Sequence, residues 1–137
     1  MDNPIYITDF DMKRFQWLSK NSHKFDLMYK KNLYQLEVEL KSAIIVEPKD
    51  IPKNVITMHS TFKVKDLVTN KENIYTLVFP FDADLAQNKI SILSPIGIIV
   101  IGFGAGDIIE WEAPSGKRKI EIVEVIYQPE REGQFYI

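Results

Sequence analysis

Between Thr8 and about Val46 the apolar residues recur at helical intervals. Phe10, Phe15, Trp17 and Leu18 supply the apolar side of a first helix, which Thr8 or Asp9 can cap. Asn21-Ser22-His23-Lys24 interrupts the pattern. A second helix follows, with Tyr29, Leu33, Leu36, Leu40 and Ala43 at gaps of 4, 3, 4 and 3, a heptad seam. A seam of about 14 helical residues is unstable alone in water. It predicts a short antiparallel helical hairpin, a small coiled coil formed when the first helix folds back on the second. The other reading of the same stripe is packing against a globular core.

Two prolines in Glu47-Pro48-Lys49-Asp50-Ile51-Pro52-Lys53 end the helical pattern and mark a boundary. From Asn54 onward the apolar residues alternate. Val55, Thr57, Phe62, Val64 and Leu67 predict one long strand, bent near His59-Ser60, and Asn70 to Asn73 a turn. Ile74 to Phe79 is rich in β-branched and aromatic residues and predicts a strand that Pro80 ends. Lys89 to Leu93 predicts a short strand. Ser94 as N-cap and Pro95 at the first helical position open a helix that runs to Gly102. Asp107 to Glu112 and Lys119 to Tyr127 close a hairpin through Pro114-Ser115-Gly116. The expected architecture is α+β: a hairpin over residues 1–46, a linker over 47–53, and over 54–137 a domain of antiparallel sheet with one short helix.

Composition sharpens this picture in three respects. With 45% hydrophobic residues in 137, the chain can bury a real core. It has no cysteine, which removes disulfides, thiolate zinc sites and cysteine nucleophiles together. The longest apolar run, Ile96 to Phe103, holds two glycines and is far short of the roughly 20 residues that span a bilayer. Acids and polar residues break up the N-terminal segment, which does not read as a signal peptide. A cytoplasmic protein without membrane contact is expected. The net charge is −2, whereas binding to bulk nucleic acid needs a concentrated basic face. Lysines do cluster at Lys20, Lys24, Lys30 and Lys31, and again around Lys117-Arg118-Lys119. A solvated surface is the simple reading of each.

Candidate chemistry is sparse. Gly102-Phe103-Gly104-Ala105-Gly106 has the wrong spacing for a dinucleotide loop, and it follows a helix instead of leading into one. Gly116-Lys117-Arg118 lacks both the leading glycine and the hydroxyl of a P-loop. His23 and His59 stand in different sections, neither at metal-ligand spacing. The carboxylate pairs Glu37/Glu39, Asp82/Asp84 and Glu110/Glu112 read as solvated surface rather than a magnesium site. The expectation is no catalytic residue, no metal and no cofactor.

The run Ser94-Pro95-Ile96-Gly97, then Gly102, Gly106-Asp107, Trp111-Glu112, Pro114 and Gly116, resembles the C-terminal domain of the GreA/GreB transcription elongation factors. The match reaches back through Tyr75-Thr76-Leu77-Val78 and Lys89-Ile90-Ser91. Pro52, Val55, Thr57-Met58 and Ser60, the tail Tyr127-Gln128-Pro129-Glu130 with Gly133, and Leu36 with Glu39-Leu40 resemble the Rnk branch, regulators of nucleoside diphosphate kinase. Ile98-Ile99-Val100 is bulkier than the family's usual run. The resemblance implies an FKBP-like C-terminal domain that binds RNA polymerase near its secondary channel, with Ser94, Pro95, Ile96 and Gly97 as the docking segment. It also implies an arm whose tip carries two acids that help hold a catalytic magnesium in the polymerase. Here the tip has His23, Lys24 and a single acid, Asp26, which can instead cap the second helix. The hairpin reaches only roughly 21 Å. A non-catalytic, monomeric regulator that competes with Gre-type factors and reads no nucleic-acid sequence is therefore expected. A transcript-cleavage factor is the alternative. Prolyl isomerase activity rests on fold alone and is set aside.

Overall fold

The computed structural model describes residues 4–24, 26–113 and 116–137, so the expected turn at Pro114-Ser115 lies outside the described residues. The chain opens with strand β1, Tyr6–Thr8, and runs directly into helix α1, Asp9–Lys20. Thr8 caps α1: its hydroxyl accepts the Asp11 N–H at 3.0 Å. Asp9 and Asp11 in the first turn and Lys20 in the last complement the helix dipole. After a short turn comes helix α2, Leu27–Leu40, capped by Asp26, whose carboxylate accepts the Tyr29 N–H at 3.0 Å. Strand β2, Ile44–Val46, then lies parallel to β1, with Tyr6 opposite Ile44.

This parallel pair corrects the reading of residues 8–46 as helices alone. A parallel pair needs a crossover, and α1 with α2 supplies it. Runs as short as Tyr6–Thr8 and Ile44–Val46 hold too few residues to show a period. The heptad seam narrows as well. Leu33, Leu36 and Leu40 are buried, Tyr29 is 38% exposed, and Ala43 lies beyond the helix end. Phe15 and Leu18 of α1 and the three leucines of α2 belong to the same hydrophobic cluster as Phe62, Leu77, Ile92 and Ile122.

The remaining strands are β3 (Thr61–Asp66), β4 (Glu72–Val78), β5 (Lys89–Ser91), β6 (Ile108–Ala113) and β7 (Gly116–Tyr127), in the order β5-β4-β3-β7-β6. The sheet is mixed, not wholly antiparallel as expected. β4 and β5 run parallel, with Leu77 opposite Ile90, because two turns of 3-10 helix at Pro80–Asp82 and Leu85–Gln87 carry the chain back before β5 begins. Strand β3 starts later than expected. His59 adopts a left-handed conformation, φ 69°, and stops any strand from running through it. Val55 makes only an isolated bridge to Gly104, Leu67 falls in a turn, and Glu72 and Asn73 already belong to β4. Helix α3, Pro95–Val100, is shorter than expected, with Gly102 beyond its end at φ 83°. No helix among the described residues is long and apolar enough to cross a membrane.

Segment 52–57 is sewn to the chain's last turn. The Gln128 side-chain amide donates to the carbonyls of Pro52 (2.8 Å) and Val55 (2.7 Å). Arg131 donates to Lys53, Val125 and Ile126 carbonyls. The Thr57 hydroxyl donates to Glu130 at 2.7 Å. Beside this lies the fastening of α1. The Asp11 carboxylate is 1% exposed, pairs with Arg14, and accepts the Met58 N–H at 3.2 Å. Arg14 stacks its guanidinium on Phe10 (4.2 Å) and Phe79 (4.7 Å) and donates to the Ile137 carbonyl at 2.7 Å.

Three outcomes are expected from this packing. A Cβ on Gly97 would sit 2.2 Å from the Ser91 carbonyl oxygen, so Gly97→Ala must push α3 off β5. Its urea midpoint should fall by the equivalent of about 2 kcal/mol, typical of overpacking. The usual helix preference for alanine would raise it by about 1 kcal/mol if α3 were free to slide. Asp11→Ala strands Arg14 and the Met58 N–H, and should cost about 3 kcal/mol in the same measurement. A loss near zero would mean that Phe15 and Leu18 hold α1 without help.

The third outcome concerns pH. Burial raises Glu130 above the ordinary carboxyl value, opposed by the hydrogen bond from Thr57. Burial lowers His59 from 6.5, and the neighbouring Arg14 charge adds to the effect. The folded state holds the Glu130 proton longer than the unfolded chain does. That contribution is full in acid and is lost as pH rises through the raised value. His59 resists its proton, so its contribution is full above 6.5 and is lost as pH falls. Glu130→Gln keeps an acceptor for Thr57 without the charge. Its melting temperature should exceed the parent's at pH 7, with the gap closing towards pH 4. A gap that widened in acid would reverse the assignment.

Candidate functional site

The segment Ser94 to Gly97 forms the corner where β5 turns into α3. The Ser94 hydroxyl accepts the Gly97 N–H at 3.1 Å and donates to the Ser91 carbonyl at 2.6 Å. The Ser91 hydroxyl in turn accepts the Leu93 N–H at 2.9 Å. These bonds fix the corner from inside. Gly97 is buried under β5, so Ser94 and Gly97 act inward. Pro95 is exposed, and Ile96 is half-buried against the core. The outward chemistry of the corner is therefore Pro95 and the edge of Ile96.

Beside α3 lies a groove of about 600 Å³ that the sequence did not reveal, lined by Ile5, Ile99, Phe103, Ile108 and Trp111 with Glu39 of α2 at its rim. It gives the bulky run Ile98-Ile99-Val100 a physical account. Ile98 and Val100 are buried in the core, while Ile99 lines the groove. The bulk of that run was the available signal, but sequence order alone could not bring Pro4 and Ile5, just before β1, to the same wall as β6.

The helical turn lies elsewhere. His23 and Lys24 occupy a turn of 3-10 helix, both exposed, and Asp26 is the N-cap of α2. The α3 corner packs on α2, and the groove between them reaches Glu39 and Ser42 near the helix's C-terminal end. The turn is at the opposite end, roughly 20 Å away along a helix of this length. The two groups of residues thus form two separate surfaces.

The chemistry set aside on sequence grounds finds its partners in the fold. In the glycine loop, Gly102 N–H donates to Ile56 (3.0 Å), Gly104 N–H to the Asp107 carboxylate (2.8 Å) and Gly106 N–H to Ile122 (2.7 Å), leaving none of the three for a phosphate. Glu37 accepts from Ser19, Glu39 from Gln35 at 3.0 Å, and Asp84 from the Ala86 N–H at 3.1 Å. Glu110 and Glu112 are exposed, and Glu110 pairs with Lys119 at 3.3 Å. No group of three or more His, Asp or Glu side chains among the described residues is placed to hold a metal ion.

Comparison with known proteins bears directly on these surfaces. The family described as transcription elongation factor GreA/GreB, C-terminal, matches residues 51–127. The regulator of nucleoside diphosphate kinase of Escherichia coli K12 is 33% identical over 103 residues, covering 74% of this chain and 76% of that protein. Transcription elongation factor GreA of Clostridium botulinum strain Hall is 46% identical over 93 residues, covering 68% of this chain but only 58% of the longer relative. Among solved structures, the GreA/GreB elongation factor of Nitrosomonas europaea superposes with a TM-score of 0.71 at 36% identity, over 92% of this chain and all of that one. The matched span contains β3 to β7, the α3 corner and most of its groove. On this evidence the chain belongs to the GreA/GreB family of transcription elongation factors and is similar to its Rnk regulators.

Proposed function

We propose that this protein is a non-catalytic regulator that binds RNA polymerase near the secondary channel and competes there with Gre-type factors. In this reading residues 54–137 are an FKBP-like docking domain, residues 1–46 a short arm, and 47–53 the join. Asp11 and Arg14 fasten arm and domain into one body. Pro95 and the outer edge of Ile96, at the corner fixed by the Ser94 cap, make the polymerase contact. The protein acts as a monomer in the cytoplasm, without metal or cofactor. Similarity to a regulator of nucleoside diphosphate kinase supports an effect on that enzyme as one outcome of the same regulation.

The observation that carries the non-catalytic reading is the state of Asp26. A magnesium ion held at another protein's acids gains much from two added carboxylates and little from one. The single acid of this turn spends one oxygen on the Tyr29 N–H. The helices are also short: 12 and 14 residues, about 18 and 21 Å at the usual rise.

Backtracked polymerase complexes test this. The protein alone should leave RNA cleavage at its intrinsic rate. Added to a Gre factor, it should reduce factor-stimulated cleavage dose-dependently, and more Gre factor should restore it. Pro95→Ala/Ile96→Asp should lose this inhibition while keeping a cooperative melt. Cleavage stimulated by the protein alone and abolished by Asp26→Asn would make it a short-armed cleavage factor instead.

A further inference from the structure

Helix α2 has two faces, and the fold uses only one. Leu33, Leu36 and Leu40 point into the core. At 100° per residue, Leu27, Lys31, Tyr34 and Val38 fall on the opposite side, with Lys30 and Lys41 along its flank. Leu27 is 83% exposed, Tyr34 67% and Val38 39%, and all three lysines are exposed. Met28, 72% exposed, extends the apolar surface at the turn. The two acids of α2, Glu37 and Glu39, lie beside the buried face and are engaged by Ser19 and Gln35. From Lys20 to Lys31 the chain carries four lysines and one aspartate, a local charge of +3 in a protein of net −2. None of the ion pairs among the described residues uses Lys20, Lys24, Lys30, Lys31 or Lys41.

We propose that this outer face of α2 and the adjoining turn are a second docking surface, which seats against an acidic protein wall with an apolar floor on the polymerase. The inference rests on the polymerase reading above and adds what the arm does there. Charge complementarity selects the occupant: five unpaired lysines seek carboxylates, and the apolar stripe between them has the layout of an interface centre within a polar rim. A single-stranded nucleic acid fits less well. Its bases stack on successive aromatic and arginine planes, whereas this stripe offers one aromatic ring, Tyr34, among Leu27, Met28 and Val38, and no arginine. Where a Gre arm brings carboxylates to a metal, this arm brings ammonium groups to carboxylates. It would hold the channel occupied with no metal to place.

The test is the affinity of fluorescently labelled protein for core RNA polymerase, titrated at several salt concentrations. Lys30→Glu/Lys31→Glu should weaken binding tenfold or more near 0.1 M salt, about 1.4 kcal/mol, and should flatten the salt dependence. The sites are exposed, so the circular dichroism melt should not move. Lys30→Gln/Lys31→Gln, which only removes charge, should give a smaller loss in the same direction. Unchanged affinity in both variants, while Pro95→Ala/Ile96→Asp weakens binding, would overturn this inference and leave the polymerase reading standing. If the parent protein does not bind polymerase at all, both fail together. Lysine-dependent binding to a single-stranded RNA oligomer, or lysine-dependent dimers in sedimentation, with polymerase affinity unmoved, would assign the face to another occupant and overturn the inference as well.

Discussion

The arrangement of this protein turns on one buried carboxylate. Asp11 sits in the first turn of α1 yet accepts the N–H of Met58, which lies 47 residues further along the chain, and it pairs with Arg14 at the same time. A carboxylate at 1% exposure needs partners that replace its water. A guanidinium and a backbone donor both hold it, and both partners are fixed relative to it. Arg14 carries the constraint onward through the Phe10 and Phe79 rings to the Ile137 carbonyl. Apolar packing by Phe15 and Leu18 supplies burial, on the order of 2 kcal/mol for each side chain, but has no direction. The Asp11 bonds supply direction. They set where α1 lies on the sheet, and the short turn to α2 then sets where the arm points.

The same region explains which parts of the structure could be read in advance. Thr8, Asp26 and Ser94 were legible as caps because a cap is local: a short polar side chain answers an N–H three residues on. Leu33, Leu36 and Leu40 were legible because helical spacing needs only the helix itself. The two parallel pairings were not. β1 with β2 and β4 with β5 are decided by what the intervening chain does, and each involves at least one strand of three residues. The bend near His59-Ser60 was legible, but not that it is tight enough to end the strand. The left-handed φ of His59 is imposed by a tight bend in which the Thr57 N–H bonds the Ser60 hydroxyl at 2.9 Å and His59 N–H the Leu77 carbonyl at 2.6 Å. The alternating pattern on either side does not show how sharp such a bend is.

Of the candidate site, the chemistry of single residues was legible and their grouping was not. Ser94-Pro95-Ile96-Gly97 stood out as a run. Only the structure separates it into Ser94 and Gly97, which build the corner, exposed Pro95, and Ile96, which packs against the core with one edge outward. The groove beside it joins Pro4 and Ile5, α2, α3 and β6, segments separated by most of the chain. The lysines were visible as a cluster with no preferred direction. The burial of Leu33, Leu36 and Leu40 gives them one, because a helix fixed on one face must present the other.

That constraint links stability to function. A carboxylate pair at an arm's tip must reach a metal at a set distance, so the arm's length and its terminal side chains are both fixed by the chemistry. An arm of ammonium groups answers to a broader requirement. Coulomb attraction at a partly screened surface falls off over about 10 Å, so lysines spread along the side of a short helix can act wherever the opposing wall is acidic. On the docking proposed for α2, its outward side matters more than its end, and the direction of that side depends on the rigidity of its base. Direction in this protein is held by Asp11, Arg14 and the parallel β1–β2 pair that closes the arm's two ends together. An arm hinged freely at residues 47–53 would lose that alignment and spend binding energy on ordering itself at the surface. The ion pair of buried Asp11 with part-exposed Arg14 is where this fold trades desolvation for a fixed direction of α1.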